Sequence, residues 1–342
     1  MSNLISWLKK NIGIIIILFS FFIVIVNGLA NGSLVQAMDS ISKADPFFIL
    51  LAVACYFGHI FFNGVANKSF INRQGCEISL KEAFYSSVVN VYYMNITPFG
   101  TGGFPMQIYY LSKKGVPAGV ASSAVTCFIN AWYSVRLLLI TVFIVLRKQM
   151  LLDILGDNFI FLIIGLIYNI YIIVLFLVLG FVKKPIRVFI DLIDRMIRKF
   201  DLSKDPDSIR SKLEGISERY HDAMQKTFQY PSEILKQLVY GLFYVVLLNS
   251  IIYFAYRSVG LSGASYFDLL GMNLCQSVAS AYIPTPGGAG GQELIFSLFF
   301  SSIIKGSDLL AVMLIWRFIS FYLGLFLGAF FTSIKSIKGS NK

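Results

Sequence analysis

The sequence predicts an all-α polytopic membrane protein: an inverted repeat of about six full transmembrane helices plus two broken, re-entrant helical hairpins. Three observations predict it. Hydrophobic residues make up 56% of the 342 and charged residues only 14%, with a mean hydropathy of +0.72, far from the profile of a soluble domain. Six apolar runs are long enough to cross a hydrocarbon core of ~30 Å, which takes ~20 helical residues. A glycine-rich phrase, TPxGxGG, occurs twice inside apolar sequence, at Thr97-Pro98-Phe99-Gly100-Thr101-Gly102-Gly103 and at Thr285-Pro286-Gly287-Gly288-Ala289-Gly290-Gly291.

The first run, near 11–30, follows Lys9 and Lys10 and has the outline of a signal peptide. Its apolar stretch is long, and its removal would unbalance the repeat, so it is read as an uncleaved helix. Full spans follow near 47–66, 117–146, 158–182, 237–256 and 308–334. Two further apolar regions, 82–112 and 266–304, are each broken in the middle by one glycine phrase. Irregular backbone facing lipid is not tolerated, so these breaks must be buried in protein or line a wet cavity. The short flanks favour re-entrant hairpins, although loop parity alone does not separate these from spanning ones. The halves are then 1–157 and 158–335, followed by a short tail, 336–342.

Lysine and arginine set the orientation. With the N-terminus cytoplasmic, 22 of the 29 fall on the cytoplasmic side, 5 outside and 2 within spans, which favours cytoplasmic termini. The first hairpin then enters from the cytoplasm and the second from outside, so the halves run in opposite directions. The net charge of +11 sits in segments between apolar runs, which suits an anionic membrane surface and not nucleic acid. Cys55, Cys76, Cys127 and Cys275 are far apart, without a CxxC pair, and read as isolated thiols. With only His59 and His221 there is little material for a metal cluster.

The cytoplasmic loop 183–236 is the one large soluble piece. Ile186, Phe189, Ile190, Ile193, Met196, Ile197 and Phe200 fall on one helical face, with lysines and arginines between them, as in a helix lying on the leaflet. A more polar helix is expected from about Ser208 to Gln229. The pair is either a solvated connector or a docking surface for an enzyme or for anionic headgroups.

The candidate site is built from the glycine phrases and two intramembrane arginines. Neither phrase is a P-loop or a dinucleotide fingerprint, and no cofactor is expected. Broken helices free backbone N–H and C=O groups at membrane depth, and the helix restarting after a break points its positive dipole end at the gap. Thr97, Gly100, Gly102, Gly103, Thr285, Gly287, Gly288, Gly290 and Gly291 are therefore candidate substrate contacts; close helix packing is the alternative. Arg136 and Arg317 each follow a phrase. A guanidinium within a span is costly and usually faces a cavity or a partner, and it binds phosphate oxygens bidentately; for Arg136, snorkelling to an interface is the alternative. Gln292 and Glu293 sit in the first turn of the second restart. Glu293 either stabilises that helix end or contacts a cationic or hydroxylated headgroup or a proton. Asn90, Asn95, Gln107 and Gln276 either line the cavity or bond between helices.

With these residues in view, the chain resembles the flippase-like transmembrane domain of the lysylphosphatidylglycerol synthase family over about 10–335. Pro284 to Glu293 looks like that family's P-x-PGG-x-G-x-x-E segment. Arg317 matches the arginine of the following helix, and Arg136 the first-half arginine, where Val135 replaces the usual acid. The resemblance implies a bacterial cell membrane protein that moves an anionic or aminoacylated phospholipid between leaflets; in two-domain members a cytoplasmic synthase makes that lipid, and its export lowers susceptibility to cationic peptides. With the chain ending at Lys342, a stand-alone form without the synthase is expected, and a transporter, not an enzyme. The expected partners are membrane lipids, including a polyprenyl-phosphate lipid, and a separate synthase or glycosyltransferase; a homo-oligomer is left open. The competing expectation is a membrane enzyme or enzyme-recruiting subunit acting on lipid headgroups or polyprenyl-linked glycans, with Glu293 as acid or base.

Overall fold

The computed structural model describes residues 33–201, 205–285, 287–288 and 290–339; the span expected near 11–30 lies outside them. The described residues are helical throughout. A short helix α1 (Ser33–Ser42) precedes α2 (Pro46–Arg73), α3 (Leu80–Ile96), α4 (Gly103–Lys113), α5 (Ala118–Leu155) and α6 (Phe159–Phe181). The cytoplasmic-loop pair α7 (Lys183–Lys199) and α8 (Pro206–Phe228) leads to α9 (Pro231–Ser258), α10 (Tyr266–Ala279), α11 (Gly291–Phe300), α12 (Gly306–Arg317), a π turn over Phe318–Tyr322 and α13 (Leu323–Gly339). Helix α13 thus continues into the residues expected as a tail.

Four helical stretches among the described residues are long and apolar enough to cross a membrane: 46–73, 118–181, 231–258 and 306–331. The second crosses twice. Arg147 leaves helical geometry (φ −128°, ψ 24°) and Gly156 ends α5 with φ 50°. Asn169 on α6 then accepts a hydrogen bond from Arg136 on α5 at 2.9 Å. A straight helix would hold those residues about 50 Å apart, so α6 folds back along α5. The bend falls at Arg147, where the first leg runs out of apolar residues.

The element series recurs. A long helix beginning with proline (Pro46, Pro231) leads to a helix with a serine cap, a glycine turn, a short helix and a further long helix. The caps match in detail. Ser79 Oγ accepts from Glu82 N–H and donates to its carboxylate, and Ser265 makes the same two bonds with Asp268, a capping box in each half. The two proline-led helices run antiparallel: Ser69 bonds Glu233 at one end, His59 meets Tyr244 in the middle, and Asp45 N–H donates to Ser258 O at the other. Antiparallel pairing of equivalent elements is the geometry an inverted repeat requires.

The return legs of the two broken regions are short. Helix α4 has 11 residues and α11 has 10, about 15–17 Å of rise each, half of what a crossing needs. Both segments therefore turn back inside the core.

Helix α6 forms part of the lipid-facing perimeter. Ile160, Ile163, Ile167, Val174 and Val178 are exposed, while Gly165 meets the Val278 backbone so closely that a Cβ would collide with it; small residues at the contact face are how membrane helices approach. Helix α8 docks on the start of α5, where Ser123 Oγ donates to Tyr220 O at 2.9 Å. Arg210 on α8 bonds Asp191 and Asp194 on α7, and Arg198 on α7 bonds Asp207 on α8 as well as Asp194 on its own helix, clamping the pair together. Of the apolar face expected to lie on the leaflet, only Phe189, Met196 and Phe200 are exposed, together with Val188 and Leu192. Ile190 is buried, and Ile186, Ile190 and Ile193 turn toward Leu213, Ile216 and Tyr220 of α8, because the second helix of the pair covers that side.

Candidate functional site

The glycine turns are built by their own residues. Helix α3 stops at Thr97 because Pro98 has no N–H to continue it. Thr97 Oγ1 donates to Tyr93 O at 2.6 Å and accepts from Gly102 N–H at 2.9 Å, stapling the helix end to the restart. In the second turn Gly288 N–H donates to Thr285 O, and Gln292 N–H to Gly288 O. Gly287 takes φ 57°, and a Cβ there would run into the Phe321 ring, so only glycine meets both demands.

Both turns and both arginines border one chamber of about 280 Å³. Phe99 and Gly100 come from the first turn; Thr285, Gly287, Gly288 and Gln292 come from the second. Trp132, Tyr133 and Arg136 stand on α5, Asn249 on α9, Asn273 and Gln276 on α10, and Arg317 closes α12.

The arginines are held differently. Arg317 Nε donates to Glu293 Oε1 at 2.7 Å, Nη1 to Gln292 Oε1 at 2.8 Å and Nη2 to Gly287 O at 2.9 Å. Its guanidinium also lies 4.4 Å from the Phe321 ring centroid. One side chain thereby ties α12 to the second glycine turn and to the start of α11, and its charge is cancelled by a buried carboxylate. The π turn follows at once. Its Phe321 ring lies on Gly287, and its Phe321 carbonyl accepts from Asn95 Nδ2 at 3.1 Å, which links the turn to α3. A π turn widens the helix and releases such a carbonyl.

Arg136 has no carboxylate partner among the described residues. Nε and Nη2 donate to the Asn169 carbonyl oxygen, and the guanidinium lies 4.8 Å from the Trp132 ring and 4.5 Å from the Tyr133 ring. It is 7% exposed. Aromatic faces and an amide dipole stabilise the cation without neutralising it. The side chain facing the chamber keeps a full positive charge in a setting of low dielectric.

Of the residues expected to bind substrate, Arg136, Arg317, Gln292, Gly100, Thr285, Gly287 and Gly288 line the chamber. Thr97, Gly102, Gly103, Glu293, Gly290 and Gly291 do not line it. Thr97 shapes the turn, Gly103 packs against Met94 and Asn90, Gly291 packs against Ile283, and Glu293 holds Arg317. The arginines are also not in equivalent register: Arg136 is the nineteenth residue of its helix and Arg317 the twelfth, about two turns apart. Asn95 and Gln276 reach the chamber, whereas Gln107 and Asn90 do not.

Sequence reasoning missed the aromatic box (Trp132, Tyr133, Tyr168, Tyr244) and the amides Asn169, Asn249 and Asn273. Two signals were present. Asn169 is a lone amide in a strongly apolar helix, and Asn249 and Asn273 have polar counterparts at a fixed distance in the first half.

The model of the family described as "Lysylphosphatidylglycerol synthase TM region" matches residues 11–328. No curated protein matches the chain. The chain belongs to that family, and it is a multi-pass membrane protein related to the handling of lipid headgroups.

Proposed function

We propose, from that membership and from the chamber, that this family member is a flippase-like translocase. It moves a lipid bearing a phosphate between the leaflets, the phosphate passing through the chamber while the tails stay in the bilayer. An anionic or aminoacylated phospholipid fits this description, as does another lipid phosphate. The observation that carries the reading is Arg136, a buried guanidinium with no carboxylate partner among the described residues, on the wall of a chamber bordered by both glycine turns. Such a group is expensive without an anion and binds phosphate oxygens in a fixed plane. Arg317 is given a different part: bound to Glu293, it holds the second turn in place.

Transport is favoured over headgroup chemistry because Glu293, the acid that an enzymatic reading needs, is engaged by Arg317 and does not line the chamber. The proposed setting is the bacterial cell membrane with cytoplasmic termini, where export of an aminoacylated lipid would lower sensitivity to cationic peptides. The α7–α8 pair suits a separate synthase or glycosyltransferase as partner.

Reconstitution into vesicles with a fluorescent phospholipid, bleached from one side, tests the proposal. Arg136→Gln is expected to slow transbilayer transfer by about tenfold or more, the loss of one charge-assisted contact of ~1.5–3 kcal/mol. Transfer at the unmodified rate in Arg136→Gln would overturn it.

A further inference from the structure

Three polar positions recur between the halves at one constant spacing. Asn63 on α2 and Ser87 and Asn90 on α3 stand 186 residues before Asn249 on α9 and Asn273 and Gln276 on α10. The capping serines Ser79 and Ser265 keep the same spacing, so the register is set by structure as well as by residue type. The two sets are knitted alike. Ser87 Oγ donates to Asn63 Oδ1 at 3.1 Å, and Asn273 Nδ2 donates to Asn249 Oδ1 at 2.9 Å.

Their surroundings differ. The second set borders the chamber, whereas none of the first set does. Both sets are buried, Asn63, Ser87 and Asn90 at 3%, 0% and 1% exposed and Asn249, Asn273 and Gln276 at 5%, 4% and 1%, so the difference lies in the chamber and not in burial. Gln107 on α4 reaches into the closed set, donating to Asn63 Oδ1 at 3.0 Å. Yet among the described residues Asn90 leaves both ends of its carboxamide without a partner, and Asn67, one turn from Asn63 on α2, leaves its carbonyl oxygen without one. A sealed carboxamide unpaired at both ends is costly, and native structures rarely retain one that no state of the protein satisfies. In carriers built from inverted repeats, the two halves exchange surroundings between the two conformations.

We propose that Asn63, Ser87 and Asn90 form a second binding station, closed in this conformation, for hydroxyl groups of the transported headgroup. The inference rests on the translocase reading and deepens it. Asn63 Oδ1 already accepts from Asn67, Ser87 and Gln107, so the Asn90 carboxamide is the group left to pair. It offers a donor and an acceptor side by side, which matches a hydroxyl, whereas a phosphate would face its carbonyl oxygen unfavourably. The headgroup is therefore of glycerol or sugar type, its hydroxyls read by Asn249, Asn273 and Gln276 in one conformation and by Asn63, Ser87 and Asn90 in the other, with the phosphate at Arg136.

The test uses the full chain in vesicles, with Cys55 and Cys76 changed to Ser and Cys127 and Cys275 to Ala. Ser87→Cys and Asn273→Cys are then exposed to a small membrane-impermeant thiol reagent from each face. Phosphatidylglycerol, which carries two free hydroxyls, is the lipid supplied. The expected result is that Asn273→Cys reacts from one face and Ser87→Cys from the other, the latter about tenfold faster once phosphatidylglycerol is supplied. Ser87→Cys inert from both faces while lipid transfer proceeds would overturn the inference and leave the translocase reading standing. Opposite-face labelling without any lipid transfer would overturn the translocase reading, and the station for a transported headgroup with it. If Ser87→Cys fails to assemble, hydrogen–deuterium exchange of the unmodified chain over 84–95 decides: faster exchange on adding phosphatidylglycerol supports the station, and unchanged exchange refutes it.

Discussion

Arg136 and Arg317 look alike in the sequence, each a lone guanidinium within an apolar helix, and the structure gives them unlike roles. Arg317 is half of a buried pair. Removing one partner strands the other, so Arg317→Gln is expected to cost about 3–5 kcal/mol of stability, whereas the apolar double change Arg317→Met with Glu293→Leu recovers most of it. Thermal unfolding in detergent measures both, and equal losses in the single and double variants would contradict the pairing. Both residues were legible as candidates, because an intramembrane charge is rare and expensive. Their union was not, since it depends on the glycine turn bringing α11 beside the end of α12. The box around Arg136 was illegible for the opposite reason: tryptophan and tyrosine are common in membrane helices, and only the fold separates a wall residue from a belt residue.

At the scale of elements, the glycine turns divide into residues that shape and residues that line. Gly287 and Gly290 both adopt positive φ, 57° and 83°, but only Gly287 is crowded, by the Phe321 ring. Gly290→Ala should cost about 1–2 kcal/mol, the strain of the left-handed region alone, and Gly287→Ala distinctly more, as read by the unfolding midpoint. Similar costs would mean that Phe321 yields readily. The breaks themselves were plain in the sequence, where proline and glycine clusters interrupt apolar runs. That they are re-entrant was not, and it followed only once the return legs proved to be 10 and 11 residues long. The helices of the cytoplasmic loop were legible from charge and spacing, and α8 begins within two residues of the expected start because Asp205 caps it and Pro206 opens it. The docking of α8 on α5 was hidden. It depends on Gly119, where a Cβ would lie 2.6 Å from the Ile216 carbonyl oxygen, a contact between residues far apart in the chain.

At the scale of the whole molecule, two antiparallel halves enclose a chamber to which each contributes a glycine turn and an arginine. The orientation proposed from charge gives a direct expectation: Ser211→Cys on α8 should react with an impermeant reagent only from the cytoplasmic face, and Lys305→Cys only from outside. The reverse pattern would invert the topology without disturbing the chamber. The central claim concerns where the lipid phosphate sits. An experimental structure of the protein in lipid nanodiscs, with bound lipid resolved, measures this most directly. The account predicts phosphate density within ~3 Å of the Arg136 guanidinium, between Gly100 and Gly288. Lipid phosphate confined to the outer perimeter, with Arg136 contacting only Asn169 and its aromatic neighbours, would contradict it.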